Sequence, residues 1–177
     1  NIVASLPQVE RCLNETGVCF CFARSLHPAM RFVAPVRQQL GIRTIFNILG
    51  PLSNPAGASH QLLGAGRPEL RPLLAEALAQ LGIERALVVS GADGLGEITI
   101  TGPTHVTEVI GEQTREREFH PGEFGLPVSD LSAIEVSNPD ESATMVRKVL
   151  AGESGPMRDI VVINSAAGLM LLEEIDD

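Results

Sequence analysis

Tryptophan and tyrosine are absent from this chain, and phenylalanine supplies all of its aromatic content, 3% of 177 residues. Single-stranded nucleic acid is commonly held by bases stacked on aromatic rings, and a chain so poor in rings offers almost none of that platform. Positive charge is scarce too: 13 Lys and Arg face 22 Asp and Glu, a net charge of −9. Such a balance opposes a polyanion unless cations are concentrated locally, so nucleic acid is not an expected partner. Cysteines number only 3 (Cys12, Cys19 and Cys21) and form no CxxC pair, which reads as buried, reduced thiols of a cytosolic protein. Cys19 and Cys21 lie two apart in a strand-like run and should point the same way. None of the 4 histidines has zinc-ligand spacing to another. The Asn14-Glu15-Thr16 sequon stands without any other sign of secretion. No apolar run approaches the ~20 residues of a membrane span, and the residues after Asn1 show neither a basic n-region nor a signal core. A cytoplasmic protein with no membrane partner is expected.

What the chain does contain is aliphatic. Hydrophobic residues make up 44% of it, so Leu, Ile, Val and Ala must build the core. A domain of this length buries roughly 70% of its unfolded surface, enough for a real core, and one α/β domain over residues 1–177 is expected. Ser5 can cap a first helix that Gly17 ends, after which VCFCF reads as a buried strand. Ala29 to Leu40 reads as a helix kinked or restarted by Pro35, and RTIFNIL as a short helix stopped by Gly50-Pro51. QLLGAG, PELRPLLAEALAQLG and RALVVSG follow as strand, amphipathic helix and fully buried strand, a βαβ unit with parallel strands. EITI, THVTEVI and TREREF alternate and are joined by glycine turns, which suggests a short antiparallel excursion and a mixed sheet. Asn138-Pro139-Asp140-Glu141 supplies an N-cap, a first-turn proline and a capping-box carboxylate for a helix to about Leu150, and a last helix spans roughly Arg158 to Glu174.

Chemistry concentrates between Cys19 and Pro55, where one histidine and several arginines interrupt an apolar run. A loop holding His27 precedes a helical stretch presenting Arg37, so an imidazole and a fixed cation can converge on one pocket suited to a small aromatic carboxylate. Read from residues alone, Arg37 reads first as a surface arginine on an exposed helix face, and His27 can be a satisfied loop histidine before a helix. Ser90-Gly91 lacks the flanking glycine of a nucleophile elbow, and GAGRPE lacks the third glycine of a dinucleotide fingerprint.

The run FARSLHPAMRFVAPVRQQLGIRTIFNILGPLSNPA closely resembles the central signature of the anthranilate phosphoribosyltransferases, and the likeness continues through HQLLGAGRPEL, RALVVSGADGLGEITITGPT and EFHPGEFGL. It implies the large α/β domain of the nucleoside phosphorylase/phosphoribosyltransferase fold, a mostly parallel sheet flanked by helices with a short antiparallel excursion. It further implies that the N-terminal helical domain, the glycine-rich phosphate-loop segment and the C-terminal end are missing here. The implied reaction transfers the phosphoribosyl group of phosphoribosyl pyrophosphate (PRPP) to anthranilate, with Mg2+ as cofactor, in a cytoplasmic homodimer joined through the helical domain. By the same resemblance Arg37 binds the anthranilate carboxylate, while His27 and Ala23 line its pocket. Arg24 stands where the family usually has proline, and Arg43 reads as structural.

In Asp93-Gly94-Leu95-Gly96-Glu97 the family carries adjacent Asp and Glu as magnesium ligands. This chain keeps Glu97 and has Gly96 in place of the Asp. Either Asp93 turns inward as a substitute, or one metal position is weakened, or the copy is impaired. Two other readings stay open: a non-catalytic module that binds small aromatic acids or a partner, and an enzyme like the pyrimidine nucleoside phosphorylases.

Overall fold

The computed structural model describes residues 3–27, 30–42, 44–54 and 56–173. The chain gathers into two compact units, residues 1–57 and residues 58–177.

In the first unit, helix α1 spans Leu6–Thr16. The Ser5 N–H donates to Gln8 Oε1 at 2.8 Å, and Gly17, at φ 75°, closes the other end with its N–H on the Leu13 carbonyl. Residues 18–22 are not the expected buried strand: they form no ladder, and Val18 and Phe20 are 73% and 64% exposed. A strand needs a neighbour for its backbone groups, and among the described residues none pairs with this segment. The alternation itself survives, with Cys19 and Cys21 Sγ 3.8 Å apart and the Phe20 and Phe22 rings stacked at 6.5 Å. The thiols are accordingly not buried; Cys12 and Cys21 are exposed and Cys19 is half-buried.

One turn of helix, α2 (Ala23–Leu26), replaces the start of the expected loop, and His27 closes it with its N–H on the Ala23 carbonyl. Helix α3 (Met30–Leu40) carries Pro35 inside it rather than restarting there; Ala29 lies outside the described residues. Helix α4 (Phe46–Leu52) runs past the stop expected at Gly50-Pro51. Its proline falls in the last turn, where only one helical hydrogen bond is lost.

The second unit is built on strands β1 (His60–Gly64), β2 (Arg85–Gly91), β3 (Thr104–Ile110) and β4 (Gln113–Phe119). Their order is β1-β2-β3-β4, with β1 parallel to β2 and the other pairs antiparallel. Helix α5 (Arg71–Gln80) makes the β1-to-β2 crossover as expected. The result is an α/β fold with a mixed sheet flanked by helices; among the described residues only the β1–β2 pairing is parallel, so the sheet is less parallel than expected, because the segment after β2 returns as the β3–β4 hairpin. EITI was expected as a strand and is not one, although Ile98, Thr99 and Ile100 are buried. A helix side chain takes the place of a partner strand: Ile98 N–H donates to Asn164 Oδ1 at 3.0 Å, and Asn164 Nδ2 returns a bond to the Ile98 carbonyl at 2.8 Å.

Helix α6 (Pro139–Leu150) begins as expected, with Glu141 N–H on Asn138 Oδ1 at 2.9 Å. The Glu141 carboxylate reaches the Ser137 N–H, one residue before the cap. Helix α7 (Pro156–Leu171) starts two residues before Arg158, and Glu174 lies outside the described residues. Among the described residues no helix is long and apolar enough to cross a membrane.

Strand β2 is buried on both faces, which accounts for its unbroken apolar sequence. Leu87 and Val89 pack with Ile98, Ile100, Val106 and Phe119 against Ile160, Ile163, Ala167, Met170 and Leu171, all five on α7. Ala86 and Val88 point to the other face, where α5 buries Leu74, Ala75 and Leu78. Burying each such Leu, Ile or Val is worth about 1.5–3 kcal/mol. Set into the sheet is Glu108, fully buried and bonded by Arg85 Nη2 at 3.1 Å and Arg115 Nε at 2.5 Å, with Arg117 Nη1 at 3.5 Å. Leu87, Glu108 and Arg115 stand opposite one another across β2, β3 and β4, so the ladder register delivers cation to anion.

Candidate functional site

Three residues singled out in the sequence come together in the first unit. Ala23, His27 and Arg37 line one cavity of about 960 Å3, along with Phe46, Asn47 and Gly50. That size lies at the upper end of the ~300–1,000 Å3 usual for ligand pockets. Ala23 and His27 arrive at the two ends of the single turn α2, and Arg37 stands in the last turn of α3. Arg24 belongs to α2, but its side chain and the whole of Arg43 lie outside the described residues.

Arg37 is oriented by the start of α4. Its Nη2 donates to Asn47 Oδ1 at 3.0 Å, and the same oxygen accepts the Thr44 N–H at 3.0 Å. The guanidinium also lies over the Phe46 ring, 5.9 Å from its centroid, within reach of a cation–π attraction. A guanidinium has five donor hydrogens, and among the described residues one hydrogen bond engages it. A cation fixed in this way, in a cavity also lined by His27, Ala34, Ile42 and Leu49, can receive a planar carboxylate. Sequence reasoning passed over Phe46 and Asn47, although both sit in the quoted RTIFN motif; an asparagine three residues after Thr44 is the spacing of a turn-bracing side chain.

The acidic loop lies in the second unit. Asp93 does not present a free carboxylate: Oδ2 accepts from Thr99 Oγ1 at 2.5 Å and Thr101 Oγ1 at 2.6 Å, and Oδ1 from the Leu95 N–H at 2.9 Å. Partial burial works to raise the Asp93 pKa, and the bonds from Thr101, Thr99 and Leu95 outweigh it, so the group stays below the ordinary range. Glu97 is exposed, with no hydrogen bond or ion pair among the described residues. Gly96 has no side chain to offer, and a Cβ placed on it would lie 3.3 Å from Gly64 C and Gly66 N. Among the described residues no three His, Cys, Asp or Glu side chains are grouped to hold a metal. Magnesium, however, keeps several waters and uses one or two carboxylates together with substrate phosphates, and the unengaged Glu97 carboxylate suits that mode of binding.

Other reactive residues have plain roles. Ser90 stands opposite His105, whose Nδ1 is 3.2 Å from Glu118 Oε2, but the Ser90 hydroxyl is sealed in the sheet and cannot meet a substrate. His60 Nδ1 pairs with Ser59 Oγ at 2.9 Å, and His120 Nδ1 accepts the Gly122 N–H.

A family model described as the glycosyl transferase family, a/b domain, matches residues 1–177. The anthranilate phosphoribosyltransferase of Rhodospirillum rubrum is 48% identical over 177 residues, which are 100% of this chain and 51% of that protein. The crystal structure of the anthranilate phosphoribosyltransferase from Thermus thermophilus superposes with a TM-score of 0.88 at 41% identity, over 99% of this chain and 52% of that one. The Saccharomyces cerevisiae enzyme in complex with 4-fluoroanthranilate gives 0.87 at 28% identity, over 98% of this chain and 50% of that one. The same enzyme in complex with PRPP and Mg gives 0.83 at 27% identity, over 98% and 49%. The chain thus spans about half the length of the curated relatives it matches. With the match running from the arginine-lined cavity through the acidic loop to the last helix, this chain belongs to the glycosyl transferase family as its α/β domain.

Proposed function

We propose that the protein carrying this sequence transfers the phosphoribosyl group of PRPP to anthranilate, giving phosphoribosylanthranilate and pyrophosphate. One observation carries the reading: Arg37, His27 and Ala23 line a single cavity, with the guanidinium held in place and its other donors open to a carboxylate. The names and ligands of the related enzymes support it. Pyrimidine nucleoside phosphorolysis and a purely binding role find less support, because the relatives reported above are transferases.

In this reading the aromatic amine displaces pyrophosphate from C1 of the ribose, through a sugar with cationic character, and no covalent enzyme nucleophile is needed. The amine needs alignment more than activation. Arg37 grips the neighbouring carboxylate and so fixes the amine, while His27 packs against the ring. Glu97 is the side chain proposed to hold magnesium, which when bound would neutralise charge on the departing pyrophosphate. Asp93 is assigned to the loop scaffold, its oxygens being taken by Thr99, Thr101 and Leu95. Following the resemblance, both units are taken as parts of one large domain of a cytoplasmic homodimer.

The full-length protein should form phosphoribosylanthranilate from anthranilate and PRPP. Arg37→Ala should raise KM for anthranilate about tenfold or more, roughly 1.4 kcal/mol, and leave KM for PRPP nearly unchanged. Equal effects on the two constants would make Arg37 structural. Turnover of pyrimidine nucleosides with phosphate, and none of anthranilate, would replace the reading altogether.

A further inference from the structure

Arg37 is useful to a carboxylate only if its flexible side chain is held in place, and only if its charge is not already spent on an acid of the protein. Both conditions meet at Asn47. Its Oδ1 accepts the Arg37 Nη2–H and the Thr44 N–H, each at 3.0 Å. Both partners are donors only, so the amide must present its oxygen rather than its nitrogen. The Thr44 bond locks the Asn47 rotamer, and the locked oxygen in turn fixes the guanidinium over the Phe46 ring. Asparagine is neutral, so this anchor leaves the positive charge of Arg37 available to the cavity.

We propose that Asn47 is a positioning residue for Arg37, selected as a neutral acceptor that aims the guanidinium without pairing its charge. The proposal rests on the reading of Arg37 as the group that receives the substrate carboxylate. An aspartate at this position keeps the shape and the acceptor atom, but it forms an ion pair with Arg37 and competes with the incoming carboxylate. A merely structural role is met equally well by either residue.

The test compares full-length wild-type protein with Asn47→Asp, Asn47→Ala and Arg37→Ala, by fluorine NMR titration of 4-fluoroanthranilate and by steady-state kinetics. Asn47→Asp should melt within a few degrees of wild type yet bind 4-fluoroanthranilate about tenfold more weakly, with KM for anthranilate rising in parallel and KM for PRPP nearly unchanged. Asn47→Ala should also weaken binding, and its effect should not add to that of Arg37→Ala. If Arg37→Ala weakens binding while Asn47→Asp binds as wild type does, the neutral-anchor proposal falls and the carboxylate reading stands. If Arg37→Ala itself leaves binding unchanged, the carboxylate reading falls, and the proposal with it.

Discussion

A Cβ atom on Gly64 would lie 1.7 Å from the carbonyl oxygen of Gly96, so the end of β1 and the acidic loop meet backbone to backbone. No side chain can be inserted there without moving one of the two segments. Gly64→Ala should therefore destabilise the protein by roughly 3 kcal/mol or more, among the larger effects of single substitutions. The reverse partner is more forgiving: a Cβ on Gly96 would sit 3.3 Å from Gly64 C and Gly66 N, which a shift of a few tenths of an ångström relieves. Gly96→Asp should cost about 1 kcal/mol. Denaturant melts of the two variants check the contrast, and equal losses would mean that the close approach does not constrain the loop.

Glu108 should make stability depend on acid pH. Burial raises its pKa, and the bonds from Arg115 and Arg85 more than offset that, holding the carboxyl below the ordinary glutamate range. A depressed folded-state pKa contributes stability that is present above the unfolded value, about 4.3, and is lost as pH falls through the folded one. Glu108→Ala should cost about 3 kcal/mol at neutral pH, because Arg85 and Arg117 stay largely buried without it. Glu108→Gln should flatten the decline of Tm below about pH 4.5 without abolishing it, since Asp93 and Glu116 are also held low. A Tm-against-pH curve parallel to that of wild type would remove Glu108 from the account.

Asn164 ties helix α7 to the acidic loop. It bonds both backbone groups of Ile98 and also the Ile160 carbonyl, at 2.9 Å. Asn164→Ala leaves the buried Ile98 groups without partners, at about 1–3 kcal/mol each, and a total loss near 2–3 kcal/mol is expected. Amide hydrogen exchange at Ile98 and Thr99 should accelerate more than at β2. Uniform acceleration would show that Asn164 acts on the whole unit and not on this loop.

The elements read best from the sequence were those whose signals are local. Gly17 after a capped helix, Asn138 before Pro139, and the unbroken apolar run of β2 each state their own structure, and each appears where expected. The pocket was legible in part: Arg37 and His27 stand out as polar residues in an apolar stretch, and the cavity joins them. Asn47 was not seen, because its meaning lies in a bond to a residue ten positions away. Asn164, an amide within the apolar VVINSAAGL, was a visible oddity whose partner, 66 residues upstream, no local pattern names.

EITI and VCFCF show the boundary most clearly. Their alternation predicts extended, strand-like segments, and in both the side chains do alternate or the residues are buried, yet neither is in a ladder. Alternation is a property of one segment, whereas a ladder needs a second backbone at hydrogen-bonding distance. By itself the sequence determined the Gly17 end of α1 and the Asn138 start of α6, turn glycines, the apolar faces and the residue types able to bind a carboxylate, because these follow from covalent geometry and side-chain chemistry within a few residues. Tertiary structure alone decided that Asn164 would replace a strand beside Ile98, that the Asp93 oxygens would close on their own loop, and that Asn47 would orient Arg37. Each of those bonds forms between groups brought together by packing, and the free energy that selects them belongs to the folded chain as a whole.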